Sequence, residues 1–324
     1  MKSKVRIVAC ADNFHFIKDL IPALSHEFDI ATIKTINYSE NQEEFNNTNL
    51  LWLEWADELP LQFLKYMNFG LGPVHENKKI ILRLHRYELF TDRTIKNIAA
   101  LSKESIDRID RMVFVSKFVR RIGIDKFPWM INSTIIPNLI DHIKFPYSDR
   151  EKGFNIMMLG RMSYVKNLPL ALAMFHELLK IDSRYKLHIV GEIAEPELVY
   201  YIQNFIRKTG CENISFYGRI DNDKLPEFMK KMHYILCSSI FESFGMGIIE
   251  AMCCGLKPIV FNFPGAEYIF ENQWRWSDTG EFIGIVQGGE YTPERYNQFV
   301  VENFSIEKNI HLYKELINGV LNEK

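Results

Sequence analysis

The 324-residue sequence contains no apolar run approaching the ~18–20 residues that a membrane span needs. Nor does it carry an excess of one charge. Its 39 basic and 41 acidic side chains leave a net charge of −2. The broad basic footprint of a nucleic-acid binder is missing, and no nucleic-acid partner is expected. Cysteine is sparse: Cys10, Cys211, Cys237, Cys253 and Cys254 are odd in number, two are adjacent, and none forms a Cys-x-x-Cys pair. That supports neither a disulfide framework nor a zinc site. The start, MKSKVRIVACADNF, has too short an apolar stretch for a secretory signal. The expectation is a cytoplasmic chain, with peripheral attachment at the inner membrane face left open. No Gly-x-Gly-x-x-Gly turn follows the first strand-like run, residues 5–10, which argues against a dinucleotide oxidoreductase.

What is present belongs to an ordinary globular protein: 47% of the residues are hydrophobic and 25% charged. At about 100–200 residues per domain the length suggests two domains. Short apolar runs alternate with amphipathic ones throughout. Strand-like runs fall at 5–10, 30–33, 50–55, 80–84, 112–115 and 134–136 in the first half. The second half has them at 155–159, 187–190, 214–217, 234–237, 258–261 and 282–286. Between two of these, residues 168–181 place Leu168, Leu172, Phe175, Leu178 and Leu179 at helical spacing. Such alternation predicts an α/β protein with parallel sheets and helices on both faces, one doubly wound unit per half. The polar stretch 141–155, with Pro146 and Gly153, reads as the division. The expected domains are 1–145 and 146–304, with a last helix at about 305–324 returning to the first. Residues 37–49, rich in Asn, Glu and Ser, read as a loop.

Four strand exits carry the chemistry. Within CSSIFESFGMGIIEAMCCGLKP, residues 237–258, a strand ends near Cys237 and a loop with Glu242 follows. Phe244-Gly245-Met246-Gly247 then opens a helix that carries Glu250. Glycines at a helix start let a ligand approach backbone N–H groups, and the helix dipole there favours a phosphate. Upstream, Gly160-Arg161 and Lys166-Asn167 flank another strand exit; a guanidinium fork and an ammonium at such a place can clamp a diphosphate. Ile189-Val190-Gly191-Glu192 and Phe216-Tyr217-Gly218-Arg219 are two further exits. The plain alternatives are a helix-capping carboxylate at Glu242 and solvated loop cations at Arg161 and Lys166.

In order and spacing, these pieces resemble the donor-binding domain of retaining glycosyltransferases of family 4 over residues 154–270. The signature is Glu242-x7-Glu250 within FESFGMGIIEAMCCG, preceded by Arg161 and Lys166. The resemblance implies a GT-B architecture, two Rossmann-like domains facing across a cleft: an acceptor-binding domain first and a nucleotide-sugar donor-binding domain second. It implies that Glu250 binds the donor ribose and Glu242 lies beside the transferred sugar. Arg161 and Lys166 would neutralise the leaving diphosphate, while Gly191, Phe244, Gly245, Met246 and Gly247 add donor contacts. No metal or other cofactor is implied; the co-substrate is a nucleotide diphosphate sugar, UDP-sugar favoured and GDP-sugar the alternative. In the first half, Ile136-Pro137-Asn138-Leu139 and Arg83-Leu84-His85-Arg86 are similar to family segments, making His85 a catalytic candidate. The family's glycine-rich first loop is replaced by Ala11-Asp12-Asn13-Phe14-His15-Phe16, so the Asn13 side chain stands as a donor contact in its place. The implied activity is retaining, metal-independent hexosyl transfer, in the usual setting of cell-envelope glycan or glycoconjugate synthesis. A GT-B nucleotide-sugar epimerase, a phosphorylase and a catalytically silent nucleotide-sugar binding protein are the alternatives.

The acceptor is open among a glycan, a lipid-linked sugar and a protein. Residues 78–126 hold 13 basic and 6 acidic side chains, an excess of +7 hidden in the balanced total. A solvated face is the plain reading of such a segment. The sharper one is peripheral contact with an anionic membrane or a lipid-linked acceptor.

Overall fold

The computed structural model describes residues 2–10, 13–34, 44, 47–56, 60–62, 64 and 78–323. Most of the stretch 37–49, and Ala11 and Asp12 of the first loop, lie outside the described residues. The chain divides into two compact units, Met1–Leu139 with Ile306–Lys324, and Ile140–Ser305. The division falls ahead of residue 145 for a local reason. The Ile140 N–H donates to the Phe304 carbonyl at 2.8 Å, and Phe145 is buried in the second unit's core.

In the first unit the strands are β1 (Lys4–Val8), β2 (Asp29–Ile33), β3 (Leu50–Glu54), β4 (Lys79–Leu84), β5 (Arg111–Phe114) and β6 (Ser133–Ile135). They form one parallel sheet in the order β2-β1-β3-β4-β5-β6. Strands β3 and β4 are buried almost throughout, as expected for a sheet covered on both faces. One core lies on each face. The helix Ile306–Asn322 places Tyr313, Ile317 and Val320 at helical spacing into the second of these.

The second unit holds β7 (Asn155–Leu159), β8 (Lys186–Val190), β9 (Ile214–Phe216), β10 (Tyr234–Cys237), β11 (Lys257–Phe261) and β12 (Arg275–Trp276). Their order is β12-β11-β10-β7-β8-β9, again all parallel. The order reverses direction between β7 and β10, and a parallel sheet binds ligands at that point, beyond the carboxyl ends of its strands.

One expectation is corrected. Residues 282–286 are not a strand: they lie in the helix Thr279–Gln287, and the sixth strand is the two-residue β12. The run Phe-Ile-Gly-Ile-Val suits either period. The tie is broken at its start, where the Asp278 carboxylate accepts the Glu281 N–H at 2.9 Å and caps the helix. Phe282 and Val286, four apart, then face the core. Gly284 sits inside this helix with open space where a Cβ would project. Gly284→Ala should therefore raise unfolding free energy by about 0.5–1 kcal/mol in urea titration; a loss of stability would mean that the added methyl group is not accommodated at this position.

Candidate functional site

The second unit's site is built where strand exits crowd together. Gly160 after β7 and Gly191 after β8 both have positive φ, +128° and +134°. A Cβ on Gly191 would lie 1.9 Å from the Gly160 carbonyl oxygen, so only glycine admits this packing. The Gly160 N–H donates to the Val190 carbonyl at 2.9 Å, and the Gly191 N–H to the Gly218 carbonyl at 2.7 Å. Three exits are thus stitched side by side. Asn167 adopts a left-handed backbone, φ +49°, and ends the short turn Tyr164–Lys166 before the helix Leu168–Ile181.

Across the switch point, β10 runs into the loop bearing Glu242. Gly245, at φ +84°, precedes the helix Met246–Cys253. The Ile248 and Ile249 N–H groups donate to the Gly245 carbonyl at 2.9 and 3.1 Å, and the Met246 and Gly247 N–H groups before them precede the first carbonyl that the helix could offer. Lys166 connects the two sides. Its carbonyl accepts the Ser238 hydroxyl at 2.8 Å. Its Nζ donates to Glu242 Oε1 at 2.7 Å, and the same oxygen accepts the Ser239 hydroxyl, also at 2.7 Å.

A cavity of about 410 Å³ opens over these elements. Arg161, Lys166, Gly191, Gly247 and Glu250 line it together with Glu192, Arg219 and Asn222. A small cleft of about 30 Å³ beside it is lined by Lys166, Glu242, Gly245, Met246 and Gly247. Arg161 is exposed; Lys166, Glu242 and Glu250 are half-buried. Phe244 lines neither space: its ring is buried edge-on against Phe304, with centroids 5.0 Å apart. Asn222 was not singled out from the sequence, because it lies in the polar turn after β9, which shows no motif of its own.

Asn13 and His85 belong to the first unit. Asn13 accepts the Trp55 indole N–H on its backbone carbonyl at 3.0 Å. His85 follows β4 and is buried between Trp55 and Phe16, with ring centroids 4.1 Å and 4.9 Å away. Beneath it lies a buried polar cluster that the sequence reading missed. Glu54 Oε1 accepts Arg83 Nη1 at 2.8 Å and faces His85 Nε2 at 3.1 Å, while Oε2 accepts Trp52 Nε1 at 2.8 Å. Arg83 Nη2 also donates to Asn138 and, at 3.0 Å, to the Tyr313 hydroxyl. The available signal was Arg83 itself, a charge inside an apolar strand that burial obliges to find a partner.

Burial alone would raise the Glu54 carboxyl, but the Arg83 guanidinium and the hydrogen bonds from His85 and Trp52 outweigh it and bring it down to about 2. Burial lowers His85 to about 4; the Glu54 hydrogen bond opposes this and Arg83 reinforces it. Glu88 is also buried, which pushes it up to about 7 even though it accepts the backbone N–H groups of His85 and Ala56. Among the described residues no group of three or more His, Cys, Asp or Glu could hold a metal ion.

Comparison with known proteins agrees with this architecture. Residues 140–283 match the family "Glycosyl transferases group 1". An uncharacterized glycosyltransferase of Methanocaldococcus jannaschii is 34% identical over 80 residues, 25% of this chain and 21% of that protein. The mannosylfructose-phosphate synthase of Agrobacterium fabrum is 28% identical over 142 residues, 39% and 31% of the two chains. The GDP-mannose:cellobiosyl-diphosphopolyprenol alpha-mannosyltransferase of Xanthomonas oryzae is 28% identical over 116 residues, 35% and 30%. The matched stretches thus span a fifth to a third of these relatives. Among solved structures, Anabaena HepE in complex with UDP and glucose superimposes with TM-score 0.73 at 13% identity, covering 98% of this chain and 100% of that one. A glycosyltransferase from Rickettsia africae gives 0.71 at 16% identity, covering 100% of both. The chain has the α/β fold of these solved structures, and its residues 140–283 are similar to the glycosyl transferases group 1 family.

Proposed function

We propose that the protein is a retaining glycosyltransferase of family 4 that moves a hexosyl group from a nucleotide diphosphate sugar to an acceptor hydroxyl. The observation that carries this reading is the convergence of Arg161, Lys166, Gly191, Gly247 and Glu250 on one cavity of about 410 Å³ at the switch point of the second sheet. Arg161, Lys166 and the helix start at Met246 would hold the diphosphate. Glu250 would accept the ribose hydroxyls, and Glu242 would face the transferred sugar. In the transfer step the anomeric carbon–oxygen bond breaks and the nucleoside diphosphate leaves with the electron pair. The acceptor oxygen bonds to the same carbon on the same face, and its proton passes to the leaving phosphate oxygen. Prearranged cations are most effective where charge develops on the leaving group, so metal-independent transfer follows from the same cations. A UDP-sugar is the favoured donor and a GDP-sugar the alternative; HepE binds UDP, and the Xanthomonas relative is named for GDP-mannose.

Screening UDP- and GDP-sugars by thermal shift tests donor binding. A ligand at a hundred times its dissociation constant should stabilise the protein by about 2.7 kcal/mol. Lys166→Ala and Glu242→Ala should each abolish transfer with far-UV circular dichroism unchanged. Full activity in both variants would sink the site assignment.

The acceptor side of the reading is an envelope glycan or glycoconjugate, reached at the inner face of an anionic membrane. No helix among the described residues is long and apolar enough to cross a membrane; the contact in this reading is peripheral. Tyr87 and Phe90, 53% and 52% exposed, stand on the short helix Tyr87–Phe90. Lys126 Nζ lies 5.9 Å from the Phe90 ring centroid, and Lys117 and Arg121 are exposed on the same helix as Lys126. Aromatic side chains flanked by cations suit an interface of anionic headgroups. The full chain should float with phosphatidylglycerol vesicles at low salt and release at high salt, and Phe90→Ser should weaken the low-salt binding. Failure to float at low salt would discard the membrane contact.

A further inference from the structure

Lys257 is the first residue of β11 and is only 4% exposed. In a parallel sheet that places it at the amino edge, opposite the strand exits that carry Arg161, Gly191 and Glu242. It lines a cavity of about 150 Å³ that shares no lining residue with the cavity at those exits.

An ammonium group has three protons to place. Lys257 Nζ places one of them, on the Gly288 carbonyl at 3.1 Å. No carboxylate among the described residues pairs with it. Burial, and then the like charge of Lys152, bring the amine down to about 8. The Gly288 carbonyl follows the end of the helix Thr279–Gln287, where Lys152 Nζ also donates, to the Gln287 carbonyl at 2.7 Å. A helix end carries roughly half a negative charge. Two ammonium groups exceed that, so helix capping explains only part of the positive charge gathered here. A buried charge ordinarily has a partner.

The other polar groups around the cavity do not supply one. Arg295 at its rim is paired with Glu271 at 2.8 Å, and Glu290 is exposed. The Tyr296 hydroxyl donates to the Glu290 carbonyl at 3.2 Å and accepts the Thr292 N–H at 3.1 Å. The rest of the wall is largely apolar. The buried Trp274 and Tyr296 rings meet edge-on, with centroids 6.0 Å apart, and Ile285 lies beside them on the lining. Gly284 lines the same space, and a Cβ there would meet nothing within 4 Å.

We propose that this cavity is a second ligand site, for a small organic carboxylate whose charged head pairs with Lys257 and whose short apolar body lies against Trp274 and Ile285. The site is contained in the second unit and does not depend on the transferase reading. Inorganic phosphate would also pair with the ammonium, but its remaining oxygens would face apolar walls at a desolvation cost.

The test is ¹³C NMR of the full chain labelled at lysine Cε. The Lys257 signal is assigned by its loss in Lys257→Met, or in Lys257→Arg where the first variant fails to fold. At a pH of about 6.5, propionate should shift that signal saturably, with half-saturation at about 1–10 mM, which is within reach of five heavy atoms. Propionamide, of the same shape but uncharged, should leave it unmoved, and inorganic phosphate should bind more weakly than propionate. Gly284→Leu fills the cavity and keeps every charge in place; it should weaken propionate roughly tenfold or more, and Gly284→Ala should act in the same direction. No saturation by propionate in that range, or an equal shift with propionamide, overturns the site. Phosphate binding as tightly as propionate overturns the choice of a carboxylate. Unchanged propionate affinity in both Gly284 variants puts the ligand elsewhere and overturns the cavity as its place.

Discussion

Parallel pairing is the constraint on which the rest of each unit depends. Every ladder in both sheets is parallel, so each strand must be followed by a crossover and every strand exit lies on the same edge of its sheet. In the second unit that edge gathers the exits of β7, β8, β9 and β10. Those exits carry Arg161, Gly191, Arg219 and Glu242. Residues separated by scores of positions become neighbours without any long-range recognition between their side chains. The reversal of strand order between β7 and β10 then opens the space that these exits surround.

The sequence made this part legible because it is written in local features. Apolar runs mark buried strands, and a glycine at an exit marks a positive φ or a close approach. At Gly191 both requirements hold at once: φ is +134° and a Cβ would collide with the Gly160 carbonyl. Arg161 and Lys166 were visible because they sit at fixed offsets from β7, and Glu242 and Glu250 because they bracket a helix start. The run 282–286 was misread since its apolar residues satisfy both the period of a strand and that of a helix. The deciding feature was the Asp278 cap four positions ahead of Phe282, a side-chain contact and not a pattern of hydropathy. Phe244 illustrates a different limit. Its place beside Gly245 suggested a ligand contact, but the backbone turn sends its ring into the core against Phe304.

The polar cluster of the first unit was less legible for a physical reason. Glu54, Arg83, Asn138 and Tyr313 come from β3, β4, the segment after β6 and the last helix. Arg83 and Tyr313 are 230 positions apart. Pattern along the chain cannot report such a meeting; only the demand that a buried charge be paired hints at one. The pair is weak support for stability in itself, because removing two charges from water costs nearly as much as their attraction returns. Breaking it is another matter, since an unpaired buried charge costs about 3–5 kcal/mol. The cluster therefore specifies which segments of the first unit meet more than it strengthens their meeting. The Tyr313 hydroxyl donates onward to the Pro137 carbonyl at 2.9 Å and ties the last helix to the segment after β6.

The two units use charge in opposite ways. In the second, Arg161 is exposed and the Lys166–Glu242 pair is half-buried, with side-chain exposures of 26% and 15%. Water reaches these groups, so each can exchange its partner for that of a ligand at modest cost. In the first unit Glu54 and Arg83 are sealed off, at 0% exposure each. Exchange there would strand a charge in an apolar core. A sealed pair cannot serve as a binding group. It can hold a neighbour in one protonation state, and His85 is the neighbour that it touches. Exchangeable charge thus lies at the strand exits of the second unit, and fixed charge inside the first.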